Sequence, residues 1–272
     1  MLTAWLLYIA TGALAGILAG LLGIGGGLVI VPILNLAFTA QGLPGDYIQH
    51  LALGTSLATI IFTAVSSMRA HDKRGALLWP VFKAITPGIL LGTFFGSKVA
   101  AHLSTRFLSG FFVVFLYYVA VQMLLNIKPK AAREIPGTAG MLGAGGVIGG
   151  VSSLVGIGGG TLSVPFLTWC NVPLHTCIGT SAAIGLPIAV AGAAGYILNG
   201  MDAALPGISE GYLGFVYLPA LVGVALASIV TAPLGAKLAH SLPVSKLKKI
   251  FACLLVVVAT RMLWALVAHY FA

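Results

Sequence analysis

Apolar runs of about twenty residues, broken by short polar connectors, recur from one end of the chain to the other. In helical form such a run spans the roughly 30 Å of hydrocarbon in a bilayer. The pattern predicts segments over 2–22, 28–40, 51–68, 77–97 and 107–126, then over 138–154, 161–171, 176–198, 212–236 and 247–269. Two of them, 28–40 and 161–171, are short for a full crossing. Each follows a glycine-rich stretch, "GLLGIGGGLVIVPIL" from Gly20 and "VGIGGGTLSVPFL" from Val155. Aligning Gly23 with Gly156 matches Gly-Ile-Gly-Gly-Gly in both, then Val31 with Val164 and Pro32 with Pro165.

The second set of segments repeats the first more widely. "HLALGTS" (His50–Ser56) matches "HTCIGTS" (His175–Ser181), and Pro80, Gly96 and Lys98 match Pro219, Gly235 and Lys237. Gly12, Gly16 and Gly20 match Gly145, Gly149 and Ser153, each set a ladder of small residues that lets membrane helices approach closely. The chain therefore divides into a first membrane repeat, 1–127, a charged linker, 128–137, and a second membrane repeat, 138–272. Duplication of a membrane unit is the usual construction of secondary transporters.

Composition fits this class. Hydrophobic residues make up 59% and charged residues 7%, against roughly a quarter charged in soluble domains. The opening "MLTAWLLYIATGALAGILAG" has no basic leader region and reads as a first membrane segment, not a cleaved signal. The net charge of +9 sits in short connectors, where it orients the protein and meets anionic lipid, so nucleic acid is not the expected partner.

Those charges also choose between two topologies. If each glycine element were a kink in one span, the connector Lys and Arg would divide six against six. If each element turns the chain back, Arg69, Lys73, Arg74, Lys128, Lys130, Arg133, Lys237, Lys246, Lys248 and Lys249 share one side, and only Lys98 and Arg106 lie opposite. Cytoplasmic loops concentrate Lys and Arg. The expected fold is thus an all-α polytopic bundle of two inverted repeats, each with a glycine-broken re-entrant hairpin. Loops 69–74, 128–133 and 237–249 are expected on the cytoplasmic side of the plasma (inner) membrane, with both termini outside. Lys83 and Arg261 lie within spans and are read as snorkelling.

Non-helical backbone at membrane depth is tolerated where protein buries it or where it lines a wet cavity. The helices resuming after each glycine run start with unpaired N–H groups and the positive end of a dipole. Gly25, Gly26 and Gly27, with Gly158, Gly159, Gly160 and Thr161, are therefore candidates for an anion site built without Lys or Arg. The alternative is that the glycines only permit tight hairpins. Thr55 and Ser56, with Thr180 and Ser181, are candidate hydrogen-bond donors to substrate, the alternative being a bond back to the preceding turn. As drawn, the spans place these pairs nearer opposite faces, so they converge only if their helices begin deeper. His50 and His175 are further candidates, although an interfacial histidine satisfied by backbone is the commoner case.

Other chemistry finds no residues. No Asp or Glu falls inside a span, so a carboxylate relay or sodium cage cannot be built there. No P-loop, acid–base dyad, His-Glu metal motif or nucleophile elbow is present, and an enzyme is not expected. Cys170, His175 and Cys177 lack a second ligand pair for a metal, and no cofactor is expected.

With these residues in place, the chain resembles the sulfite exporter TauE/SafE family of toluene-sulfonate uptake permease type. The motifs are "LLGIGGGLVIVPIL" and "LVGIGGGTLSVPFL", the pair "LGTSLA" and "IGTSAA", and "HDKRG" closing the third segment. The resemblance spans both halves and implies a multi-pass transporter of small, often sulfur-containing anions such as sulfite or sulfoacetate-like compounds. It carries Gly23–Gly27, Gly156–Gly160 and the two Thr-Ser pairs into the site. The expected mechanism is alternating access by rocking one repeat against the other, and the alternative is a passive anion channel. Expected partners are the small anion and the bilayer, with room for a homodimer.

Overall fold

The computed structural model describes residues 2–125, 133–201, 203, 211–241 and 244–271. Ten α-helices run through them: α1 (Leu2–Leu22), α2 (Gly27–Ala40), α3 (Ile48–Asp72), α4 (Trp79–Ala101), α5 (Thr105–Leu124), α6 (Thr138–Val155), α7 (Gly160–Trp169), α8 (Leu174–Met201), α9 (Leu218–Ser241) and α10 (Val244–Phe271). Eight of these are long and apolar enough to cross a membrane. The other two, α2 and α7, have 14 and 10 residues. At 1.5 Å per residue they reach about 21 Å and 15 Å, short of the hydrocarbon thickness. Linker residues 128–132, and the loop acids Asp202 and Glu210, lie outside the described residues.

The central pair is α3 and α8, which pack on each other and are largely buried. Around them α1 lies along α9, α6 along α4, and α5 along α10. The first helix of each half thus packs on the fourth helix of the other half. Glycine makes these contacts close. A Cβ added at Gly20 would stand 2.0 Å from Ala232 O, and one at Gly12 would stand 2.3 Å from Val224 O. In the mirrored pair, Cβ atoms at Gly145 and Gly149 would stand 2.5 and 2.6 Å from the carbonyl oxygens of Ile85 and Ile89. The outer surface is apolar at helical spacing, as in Leu91, Phe95 and Val99 of α4 and Leu226, Val230 and Leu234 of α9. Such stripes suit contact with lipid tails.

The expected boundaries differ from the observed ones in two informative places. The segment expected at 212–236 begins as a helix only at Leu218, because Tyr212–Leu213 and Val216–Tyr217 form a small antiparallel hairpin. Gly214 turns it at φ 55, with its Cα face so near α8 that a Cβ would stand 2.2 Å from Ile197 O. Helix α3 begins at Ile48 and α8 at Leu174, each before the expected 51 and 176. Both Gly-Thr-Ser triplets consequently sit beyond the first helical turn.

Candidate functional site

The glycine elements are built from left-handed backbone. Gly23, Gly25 and Gly26 have φ of 68, 72 and 83°, and Gly156 and Gly159 have φ of 69 and 74°. A side chain in that region costs roughly 1–2 kcal/mol, which is why glycine occupies it. Gly26 and Gly159 are the N-caps of α2 and α7, and neither helix start receives a side-chain cap. Gly26 O accepts from the N–H groups of Val29 and Ile30, and Gly159 O from those of Leu162 and Ser163. The N–H groups ahead of these, on Gly27, Leu28, Gly160 and Thr161, have no acceptor in their own helix.

The two elements meet backbone to backbone. A Cβ on Gly25 would stand 2.9 Å from Gly158 Cα, one on Gly27 would stand 2.3 Å from Gly156 O, and one on Gly160 would stand 2.1 Å from Gly23 O. The repeat thus brings both helix starts to one place, and only glycine allows the approach.

The hydroxyl pairs reach the same place by different routes. Ser56 Oγ donates to Gly156 O at 2.8 Å, crossing from the first half to the second element. Ser163 Oγ donates to Gly159 O at 2.9 Å, so the 2.7 Å contact between Ser181 and Ser163 is a donation from Ser181. The threonines also accept from backbone, which leaves their own O–H groups uncommitted by these bonds. Thr55 Oγ1 accepts from the Tyr217 N–H at 2.9 Å, and Thr180 Oγ1 accepts from the Leu78 N–H at 3.0 Å. Each holds the segment entering the fourth helix of the opposite half, so its oxygen is engaged by backbone.

The histidines stand apart. His50 is buried with Nε2 3.1 Å from Ala100 O and Nδ1 3.3 Å from Thr105 Oγ1, against the Phe215 ring. It ties α3 to the α4–α5 corner. His175 is exposed at the start of α8. Cys177 donates its thiol to Val172 O at 3.2 Å. Among the described residues no cluster of His, Cys, Asp or Glu is arranged to hold a metal.

Sequence reasoning passed over Ser152, Ser163 and His71. His71 Nε2 lies 2.8 Å from Gly20 O, holding the end of α3 against α1 beside the first glycine element. Its signal was the "HDKRG" motif. Ser152 and Ser163 flank the second element but align with Ala19 and Ile30 in the first, so a search for repeated features does not find them.

An open cavity of about 600 Å³ lies at the α7–α8 corner, lined by Leu78, Arg133, Glu134, Cys170, Asn171 and Thr176 among others. The Arg133 guanidinium lies 4.5 Å from the centroid of the Trp169 ring. Through Leu78 the cavity wall is bonded to Thr180, one residue from Ser181.

Compared with known proteins, residues 8–262 match the family model for sulfite exporter TauE/SafE. A probable membrane transporter protein of Haemophilus influenzae is 39% identical over 264 residues, covering 96% of this chain and 99% of the relative. One of Methanocaldococcus jannaschii is 29% identical, with 94% of each chain covered. One of Bacillus subtilis is 28% identical, covering 80% of this chain and 83% of its own. No solved structure matches.

Proposed function

We propose that this chain, a membrane transporter that belongs to the sulfite exporter TauE/SafE family, carries small sulfur-containing oxyanions or organosulfonates by alternating access. The observation that carries the reading is the meeting of two glycine-headed helix starts, with no charged side chain among the described residues nearest their glycines. Each start supplies about half a positive charge and a set of free N–H donors. The anion would bind where they converge, with the Thr161 hydroxyl among its donors and Ser56 and Ser181 bracing the second element around it. The cavity beside Arg133 would serve as its approach from the basic, cytoplasmic side.

The backbone contact between the elements favours a carrier over the passive channel, since a standing pore cannot run between groups packed this closely. Purified protein in liposomes preloaded with sulfite or ethanesulfonate should show saturable uptake that counterflow accelerates. Flux that rises linearly with concentration and ignores counterflow would make it a channel.

The inverted arrangement, with both termini outside and the plasma membrane as location, is part of the same reading. Exchanging the two halves turns the α1–α9 pair into α6–α4 and leaves α3–α8 and α5–α10 as they are, which supports a two-fold relation. Cysteines at the exposed positions Lys73 and Lys249 should label from the same face of the membrane. Labelling from opposite faces would remove the hairpin topology.

A further inference from the structure

The two glycine elements share their backbone form but not their side chains. Where the first element has Ala19, Leu28 and Ile30, the second has Ser152, Thr161 and Ser163. The Ser163 hydroxyl is engaged by Gly159 O. The other two are not engaged at all: Ser152 is 0% and Thr161 5% exposed, and neither Ser152 Oγ nor Thr161 Oγ1 has a hydrogen-bond partner.

Most other buried hydroxyls among the described residues are engaged, Ser67 and Thr93 being exceptions that lie away from both glycine elements in the sequence. The hydroxyls of Thr11, Thr59, Thr63 and Ser228 close on a carbonyl three or four residues back. That is the usual resort of Ser and Thr in membrane helices, and a buried hydroxyl that makes no bond is costly. Ser152 Oγ lies 3.5 Å from the point where a Cβ on Gly159 would stand, so it faces the N-cap of α7. Thr161 is the second residue of that helix and adds its own free N–H. Two unpartnered hydroxyls and unpaired amides gather at one helix start, while the matching start of α2 presents Leu28.

We propose that a singly charged oxyanion group binds at the head of α7, held by the Ser152 and Thr161 hydroxyls and the Gly160 and Thr161 N–H groups. This rests on the transport reading and divides the site unequally: α7 supplies directed donors, and α2 supplies chiefly its dipole. The charge follows from the electrostatics. Two helix starts worth about half a charge each compensate about one negative charge. A second charge would stay uncompensated in a medium of low dielectric constant.

The test is thermal unfolding of the purified full-length protein titrated with ethanesulfonate and with sulfate. Ethanesulfonate should raise the midpoint and bind at least tenfold more tightly than sulfate. Ser152→Ala and Thr161→Val should each weaken ethanesulfonate binding at least tenfold, and Thr161→Ser should restore it. The ligand-free midpoints of the first two variants should hold or rise, because each removes an unsatisfied polar group. Variants that bind as the wild type does, or equal binding of sulfate, would overturn this inference while leaving the transport reading intact. A ligand-free midpoint that falls in step with affinity would make the hydroxyls structural and overturn it as well. A wild-type protein that responds to neither anion would overturn both readings together.

Discussion

Replacing Gly159 with valine should abolish anion transport while leaving the protein inserted and monodisperse. Gly159 has φ of 74°, so a β-branched residue there is strained by roughly 1–2 kcal/mol or more. Its Cβ would meet Ile188 Cδ1 at 2.3 Å, the flexible end of a side chain that can swing aside. The remaining space it would fill lies in front of Ser152 Oγ and the unpaired N–H groups of α7. Function should therefore suffer far more than fold. Uptake per inserted molecule in liposomes, read beside size-exclusion profiles, separates the two. Wild-type uptake by Gly159→Val would end the assignment of the site to the second glycine element. Gly26→Val should also stop transport, at a greater cost in stability, because its Cβ meets backbone at Ala15 O, 2.9 Å away.

The largest loss of stability is expected from Gly20→Leu. A Cβ at Gly20 would stand 2.0 Å from Ala232 O and 2.6 Å from Ala236 N, both backbone atoms of α9. Nothing at that point can rotate away, so α1 and α9 must separate, and the His71 bond to Gly20 O is strained with them. Overpacking costs of about 1–3 kcal/mol apply where side chains can adjust. Here the cost should exceed about 3 kcal/mol, a large share of the roughly 5–15 kcal/mol that holds a protein folded. Gly143→Leu on α6 is the matched control, since a Cβ there meets nothing within 4 Å. Thermal midpoints and membrane yield should fall sharply for the first variant and hold for the second. Equal stability of the two would show that the glycine ladder is not what joins α1 to α9.

Much of this architecture was legible because lipid imposes a simple rule. A span must be long, apolar and helical, so the segment list read from hydropathy agrees with the observed helices to within a few residues over most of the chain. It failed at 212–217, where aromatic residues kept the run apolar while Gly211 and Gly214, both at positive φ, folded it into a hairpin. The meeting of the glycine elements was legible through their repetition. The work of Thr55 and Thr180 was not, because nothing local to either triplet says that Tyr217 or Leu78 will present an N–H to it. Ser152 and Ser163 were missed for the opposite reason. A search tuned to what both halves share cannot see what only one half has. His50 read as a polar group at a span end, yet its partners Ala100 and Thr105 lie some fifty residues away in the chain.

The glycine seams between α1 and α9 and between α4 and α6 decide which parts of the protein can move together. Carbonyl oxygens within van der Waals reach of glycine Cα atoms along several turns leave no slack for those helices to part. We expect α1 to travel with α9 and α6 with α4 in any motion of the protein. Each such pair is drawn from both halves of the sequence, so the opening we expect runs between these pairs and not between the two halves as blocks. The join read at 128–137 would then mark a repeat in the sequence and not a line of opening.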